Sequence, residues 1–246
     1  MAHFYLNEAI ESARPGGTVQ IDGAEVRHAV TVSRVAVGDE LTVGNGRGLF
    51  ITGTVARADH TALELTAETV RQVEAASPAI ILVQALAKGD RDEMAVQAAT
   101  ELGIDAVIPW TAARSISRWE GAKVPKGIAR WSAIVREASK QSVRAWVPDV
   151  LELVTTNQLA KLAAATQMLI LDPEADRALS SLEFLPGHEQ QDITLVVGPE
   201  GGIAPHEFEA LVAAGATRVK LGDTVLRTST AGPAAIAVLS AKLGRW

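Results

Sequence analysis

Two short apolar runs, each closed by glycine, decide how this chain is read. The first is Leu195-Val196-Val197-Gly198-Pro199-Glu200-Gly201-Gly202. The second is Val219-Lys220-Leu221-Gly222, which leads on to Val225-Leu226-Arg227-Thr228-Ser229-Thr230-Ala231-Gly232. An apolar run of about four to six residues ending in glycine, followed by a helix start, is how parallel-sheet proteins present backbone amides to a ligand. The phosphate-cradling patterns are missing, with neither GxxxxGK[ST] nor GxGxxG after a strand. A ligand gripped elsewhere than at a phosphate is the expectation.

Outward from these runs, strand and helix alternate from residue 79 onward. Residues 80–84 form a continuous apolar run, as a strand covered on both faces requires. Asp90 is expected to cap the next helix, with Glu93 completing a box-like arrangement, and Gly103 to end it before the strand at 106–109. A longer helix is expected over 125–143, and later strands over 168–171, 193–197 and 218–221. Pro205 suits the first turn of a helix that Gly215 stops, and Thr230 is expected to cap the last helix, 231–243. The pattern is that of an α/β parallel-sheet domain over 79–246.

Residues 1–73 read as mostly β, with alternation at 18–21, further strands at 40–43, 49–55 and 62–70, and a short helix at 24–35. Asn45-Gly46 is a hairpin signal, because both residues tolerate positive φ. A small β-barrel with one helix fits, joined to the second domain by a linker at 72–78.

With 246 residues either one large domain or two smaller ones can bury a core. No apolar run approaches the length of about 18 residues that a membrane span needs. The opening residues carry no leader pattern, so a cytoplasmic protein without a membrane partner is expected. The absence of cysteine excludes disulfides, thiolate metal sites and a cysteine nucleophile. Five scattered histidines with no HxxxH pair predict no metal. The net charge of −6 is unevenly spread: 114–144 carries eight basic and two acidic residues, net +6, leaving −12 elsewhere. Such segregation suits local contact with phosphates on an acidic body. Trp119, Trp131 and Trp146 lie in or beside this stretch; stacking on bases and packing into a core are both open, with the core reading preferred.

VVGPEGGIAPHE followed by LGDTVLRTSTAGPAA resembles the last two motifs of the SPOUT methyltransferases. Within them it resembles the RsmE type, the 16S ribosomal RNA uridine-N3 methyltransferases. ALAKGDRDEMAVQAATELGIDAVIPWTAARS (85–115), EASKQSVRAWVP (137–148), HAVTVSRV (28–35) and VGD (37–39) extend the resemblance over nearly the whole chain. It implies a PUA-like RNA-binding β-barrel over 1–73 and a methyltransferase domain ending in a C-terminal trefoil knot. It also implies a homodimer, the cofactor S-adenosyl-L-methionine, and 16S rRNA in the small ribosomal subunit as substrate.

By the same resemblance, cofactor contact falls to Leu171, Gly198, Pro199, Glu200, Gly201, Leu221, Gly222, Leu226, Arg227 and Thr228. Lys88, Arg91, Arg114, Gln141 and Arg144 are expected to contact RNA. Arg227 is the expected electrostatic catalytic group, since a guanidinium stays charged and can stabilise a developing oxyanion. Glu200 is the best-placed carboxylate for orientation or proton acceptance. The sequence departs from the family pattern at Ser229, Thr224, Lys140 and Ala98, where many relatives carry glutamate, arginine, an acidic residue and lysine. A carboxylate at 229 or a guanidinium at 224 therefore plays no part here. Two rivals remain at this level: another SPOUT activity, such as ribose 2′-O-methylation of transfer RNA, and a non-catalytic RNA-binding assembly factor.

Overall fold

The computed structural model describes residues 3–59, 61–183 and 191–246. It divides into two compact units: one holds residues up to 75 together with 139–147, the other 76–138 and 148–246. The sequence reading places one linker between two continuous segments; the return of 139–147 to the first unit has no counterpart in it.

The first unit contains β1 (His3–Leu6), β2 (Thr18–Ile21), α1 (Gly23–Arg27), β3 (Glu40–Gly44), β4 (Leu49–Ala58) and β5 (Leu63–Gln72). Its strands pair in the order β1-β3-β4-β5-β2, with β1 parallel to β3 and the other pairs antiparallel. Period-two alternation sends Val19, Ile21, Leu41, Val43, Leu63 and Leu65 into one core. The hairpin signal holds: Gly46 has φ +71, and Asn45 Oδ1 accepts from the N–H groups of Arg47 (2.8 Å) and Leu49 (3.1 Å). The single helix expected over 24–35 is instead α1 followed by a π-helical turn, His28–Val32, and Arg34 reverses the chain at φ +54.

Residues 139–147 are tied to this unit by backbone and side chain. The Gly48 N–H donates to the Ala145 carbonyl (2.9 Å), and Trp146 Nε1 donates to the Val73 carbonyl (2.9 Å). Lys140 pairs with Glu25 at 3.0 Å, both largely buried.

In the second unit, β6 (Ile80–Ala85), β7 (Ala106–Thr111), β8 (Asp149–Val150), β9 (Val154–Thr155), β10 (Gln167–Leu171), β11 (Ile193–Val197) and β12 (Thr217–Val219) form a parallel sheet. The order is β12-β10-β11-β6-β7-β8, with β9 also on β7. Its helices are α2 (Arg91–Glu101), α3 (Lys123–Gln141, whose last turn enters the returning segment), α4 (Thr156–Ala163), α5 (Pro205–Ala213) and α6 (Thr228–Lys242). Both faces of the sheet are covered. Val83, Ile170 and Val196 share a core with Leu159 of α4 and Leu211 of α5, while Leu82 and Val197 lie under Gly232 of α6. This explains why β11 is buried at every position.

Two helix starts differ from expectation. Asp90 takes the left-handed conformation (φ +58) and makes no capping bond. Asp92 serves instead, its Oδ2 accepting from the Ala87 N–H (3.1 Å) and its Oδ1 from the Glu93 N–H (2.9 Å). The last helix begins at Thr228, so Thr230 lies inside it and its N–H bonds back to the Arg227 carbonyl (2.9 Å). Pro205 does open α5, and Gly103 and Gly215, at φ +104 and +106, follow α2 and α5.

At the β4–β5 irregularity, a Cβ on Gly53 would collide with the Thr66 carbonyl, a backbone atom that has nowhere to go. G53A should therefore lower stability by about 1–3 kcal/mol, the usual cost of overpacking, measured as a shift in the urea midpoint with an unchanged slope.

Candidate active site

Parallel strands leave their C-terminal ends on one edge of the sheet, and ligands of such sheets bind outside those ends. Here β10, β11 and β12 are neighbours, with Leu171 paired to Val219 and Ile170 to Val196. The loops that follow them therefore open into one cleft of about 1030 Å³. Leu171, Val197, Ile203, Leu221 and Leu226 supply apolar wall; Arg91, Arg114, Asp172, Glu200, Arg218 and Arg227 supply charge.

Nine of the ten residues expected at a cofactor line this cleft: Leu171, Gly198, Pro199, Glu200, Leu221, Gly222, Leu226, Arg227 and Thr228. Gly201 is not in the wall; its carbonyl accepts from Arg114 Nη1 at 3.1 Å. Gly222 is informative because the fold does not require it. It lacks a positive φ, and a Cβ there would meet nothing within 4 Å. It lines the cleft with open space beside its backbone.

The charged groups are mostly committed. Glu200 Oε1 accepts from the Lys88 N–H (3.0 Å) and from Arg91 Nη1 (3.2 Å), tying the turn after β11 to the loop before α2. Asp172, buried after β10, pairs with Arg218, whose guanidinium lies 4.9 Å from the centre of the Phe208 ring. Arg227 is exposed, stands at the start of α6, and makes no ion pair among the described residues.

Sequence reasoning missed Glu207 and Gln84. Glu207 is 2% exposed. Its Oε1 accepts from the Ala113 N–H (2.9 Å) and the Thr156 hydroxyl (2.7 Å), and its Oε2 from the Ala204 N–H (3.1 Å). It thereby fixes the loop that carries Arg114 to the start of α5. The sequence signal, an acidic residue in the first turn of a helix, indicates a dipole contact but not these partners.

The basic stretch is divided by the fold. Arg114, Arg118, Lys123, Lys126, Arg130 and Arg136 belong to the second unit, while Lys140, Gln141 and Arg144 belong to the returning segment of the first. Lys88 and Gln141 are exposed, and Arg144 is half-buried. Arg130 grips Glu93 through two nitrogens, at 3.2 and 2.8 Å. The tryptophans serve as packing: Trp131 is buried, with Trp119 edge-on to it at 5.2 Å. Among the described residues no cluster of three or more His, Asp or Glu is placed to hold a metal, and no helix is long and apolar enough to cross a membrane.

A family model for the RNA methyltransferase domain matches residues 74–240, and one for the RNA methyltransferase PUA domain matches 21–68. A Mycobacterium bovis protein named ribosomal RNA small subunit methyltransferase E is 40% identical over 236 residues, covering 94% of this chain and 89% of its own. The chain belongs to the ribosomal RNA small subunit methyltransferase E family. The family member from Bacillus subtilis is 28% identical over 98% of this chain and 96% of its own. The crystal structure of the Neisseria gonorrhoeae member, bound to S-adenosyl methionine, has a TM-score of 0.86 and 30% identity, covering 98% of each chain.

Two outcomes test how this family's cleft is held together here. E207A removes the shared acceptor of three donors, one of them the N–H of buried Ala204, and should cost about 1–3 kcal/mol, read from chemical unfolding. Burial pushes the Asp92 carboxyl above its ordinary value of 3.8, against the pull of the Ala87 and Glu93 N–H groups. The folded state then holds this proton more tightly than the unfolded one. Its stabilising contribution is full below pH 3.8 and falls as the pH rises through the raised value. Wild type should lose stability relative to D92N as the pH rises through that interval, measured by urea melts from pH 4 to 7.

Proposed function

We propose that this chain transfers a methyl group from S-adenosyl-L-methionine to N3 of a uridine in 16S rRNA of the small ribosomal subunit, in the cytoplasm. The observation that carries this reading is the single cleft formed by the turns after β10, β11 and β12, in a chain of this methyltransferase family. The residues present suit the cofactor. Leu171, Leu221 and Leu226 give flat apolar walls for an adenine, Gly222 leaves backbone accessible, and the Pro199–Gly202 turn supplies amides and carbonyls. When bound, the cofactor supplies an electrophilic methyl group on a sulfonium.

The protein's own work is positioning and electrostatics, where most of such a rate enhancement arises. Uracil N3 carries a proton at neutral pH, and negative charge spreads to the ring carbonyls as that proton leaves. Arg227 stands at the positive end of the fifteen-residue helix α6, so the guanidinium and the helix terminus act together on that charge. Glu200, with its Oε1 held by Lys88 and Arg91, orients the RNA-facing loop and is the carboxylate placed to accept the N3 proton. Lys88, Arg91, Arg114, Gln141 and Arg144 are the RNA contacts of this reading. It also takes residues 1–73 as the PUA-like barrel, 79–246 as the methyltransferase domain, and the C-terminal segment as threaded in a trefoil knot. A homodimer completes the reading. Val225, 78% exposed at the cleft, is a surface a second copy would cover.

The deciding experiment supplies labelled S-adenosyl-L-methionine and small subunits lacking the modification, with transfer RNA as control, and identifies the product by nucleoside mass spectrometry. The expected product is 3-methyluridine in 16S rRNA. Label on ribose or in transfer RNA would replace the substrate, and no label would favour a binding factor. R227A should lower kcat about 10²-fold in the same assay.

A further inference from the structure

Gln84 stands near the end of β6, paired to Val197 of β11 on one side and Pro109 of β7 on the other. It is 0% exposed and does not line the cleft. A glutamine amide in the middle of a fully covered parallel sheet is costly unless its groups are used. Its Nε2 donates to Thr228 Oγ1 (2.9 Å) and to the Ala85 carbonyl (3.1 Å). Its Oε1 is buried and meets no donor among the described residues.

The polarity of this contact follows from Thr228. Its Oγ1 lies 2.8 Å from the Gly198 carbonyl, which can only accept, so the one hydroxyl proton points there. Towards Gln84 the same oxygen must accept, and only the amide nitrogen can donate. The order Gln84 → Thr228 → Gly198 is therefore fixed. It links the middle of the sheet to the first residue of α6 and to the turn after β11. Gly232, one helical turn beyond Thr228, lets α6 lie close on the sheet, with a Cβ there only 3.2 Å from Leu82 Cδ1.

We infer that Gln84 is a positioning residue for the cofactor. Through the Thr228 hydroxyl it sets the spacing of the two glycine turns, while touching no ligand itself. The inference rests on the function proposed above, since the turns matter in this way only if they hold S-adenosyl-L-methionine.

The test compares Q84M, T228S, T228V and the double variant Q84M/T228V. Affinity for S-adenosyl-L-methionine is read by calorimetry, KM for small subunits by methyl transfer, and folding by thermal melting. Q84M is similar in length to the wild-type side chain but cannot donate. It should weaken cofactor affinity about tenfold, with KM for the subunit within twofold. T228S, which keeps the hydroxyl, should lose less cofactor affinity than T228V. T228V should resemble Q84M, and the double variant should be no weaker than T228V alone. Unchanged cofactor affinity in Q84M would overturn the inference. So would equal losses for both ligands that track the melting temperature, additive losses in the double variant, or failure of Q84M to fold, since each makes Gln84 a general stabiliser. Failure of the wild type to bind S-adenosyl-L-methionine would instead sink the proposed function.

Discussion

Parallel pairing of β10, β11 and β12 is the constraint from which the site follows. In an all-parallel sheet every strand ends on the same edge, so turns far apart in sequence become neighbours without further design. The register places Leu171 beside Val219 and Ile170 beside Val196, and the turns that follow the three strands, at 171–174, 198–200 and 220–222, reach the cleft. Burial on both faces keeps that register, because a shift by one residue would turn Leu195 or Val196 to the wrong side.

Around the cleft, carboxylates act chiefly as ties. Glu200 joins a turn to the loop before α2, Glu207 joins three backbone and hydroxyl donors, and Asp172 holds Arg218. Asp92 closes the start of α2 from inside. A charged acceptor that takes several N–H donors makes strong directional bonds, which suits loops that must hold a ligand without regular secondary structure. The same commitment leaves Arg227 as the exposed guanidinium at the start of α6, able to act on charge that appears during the reaction.

Much of this was legible along the chain. The glycine turns, the hairpin at Asn45-Gly46, Pro205 at a helix start and the apolar run of β6 are local signals with local causes. The misreadings also have local causes. Asp90 and Thr230 are good capping residue types beside helix starts, but conformation decides the cap: Asp90 is left-handed, and α6 begins two residues earlier than Thr230. The basic stretch at 114–144 reads as one cluster, although residues 139–147 pack with the first unit. Trp146 bonds there to Val73, 73 residues earlier, and no window of sequence contains both.

Residue order alone determined the alternation of strands and helices, the positions of the turns, the absence of thiol chemistry and the family motifs. These depend on backbone preference, hydrophobic period and side-chain chemistry, which act over a few residues. Tertiary structure decided which groups meet: Glu200 with Arg91, Glu207 with Ala113 and Thr156, and Gln84 with Thr228, 144 residues apart. Hydrogen bonds reach about 3 Å, so their partners are set by how strands are ordered in the sheet, which spacing along the chain does not encode.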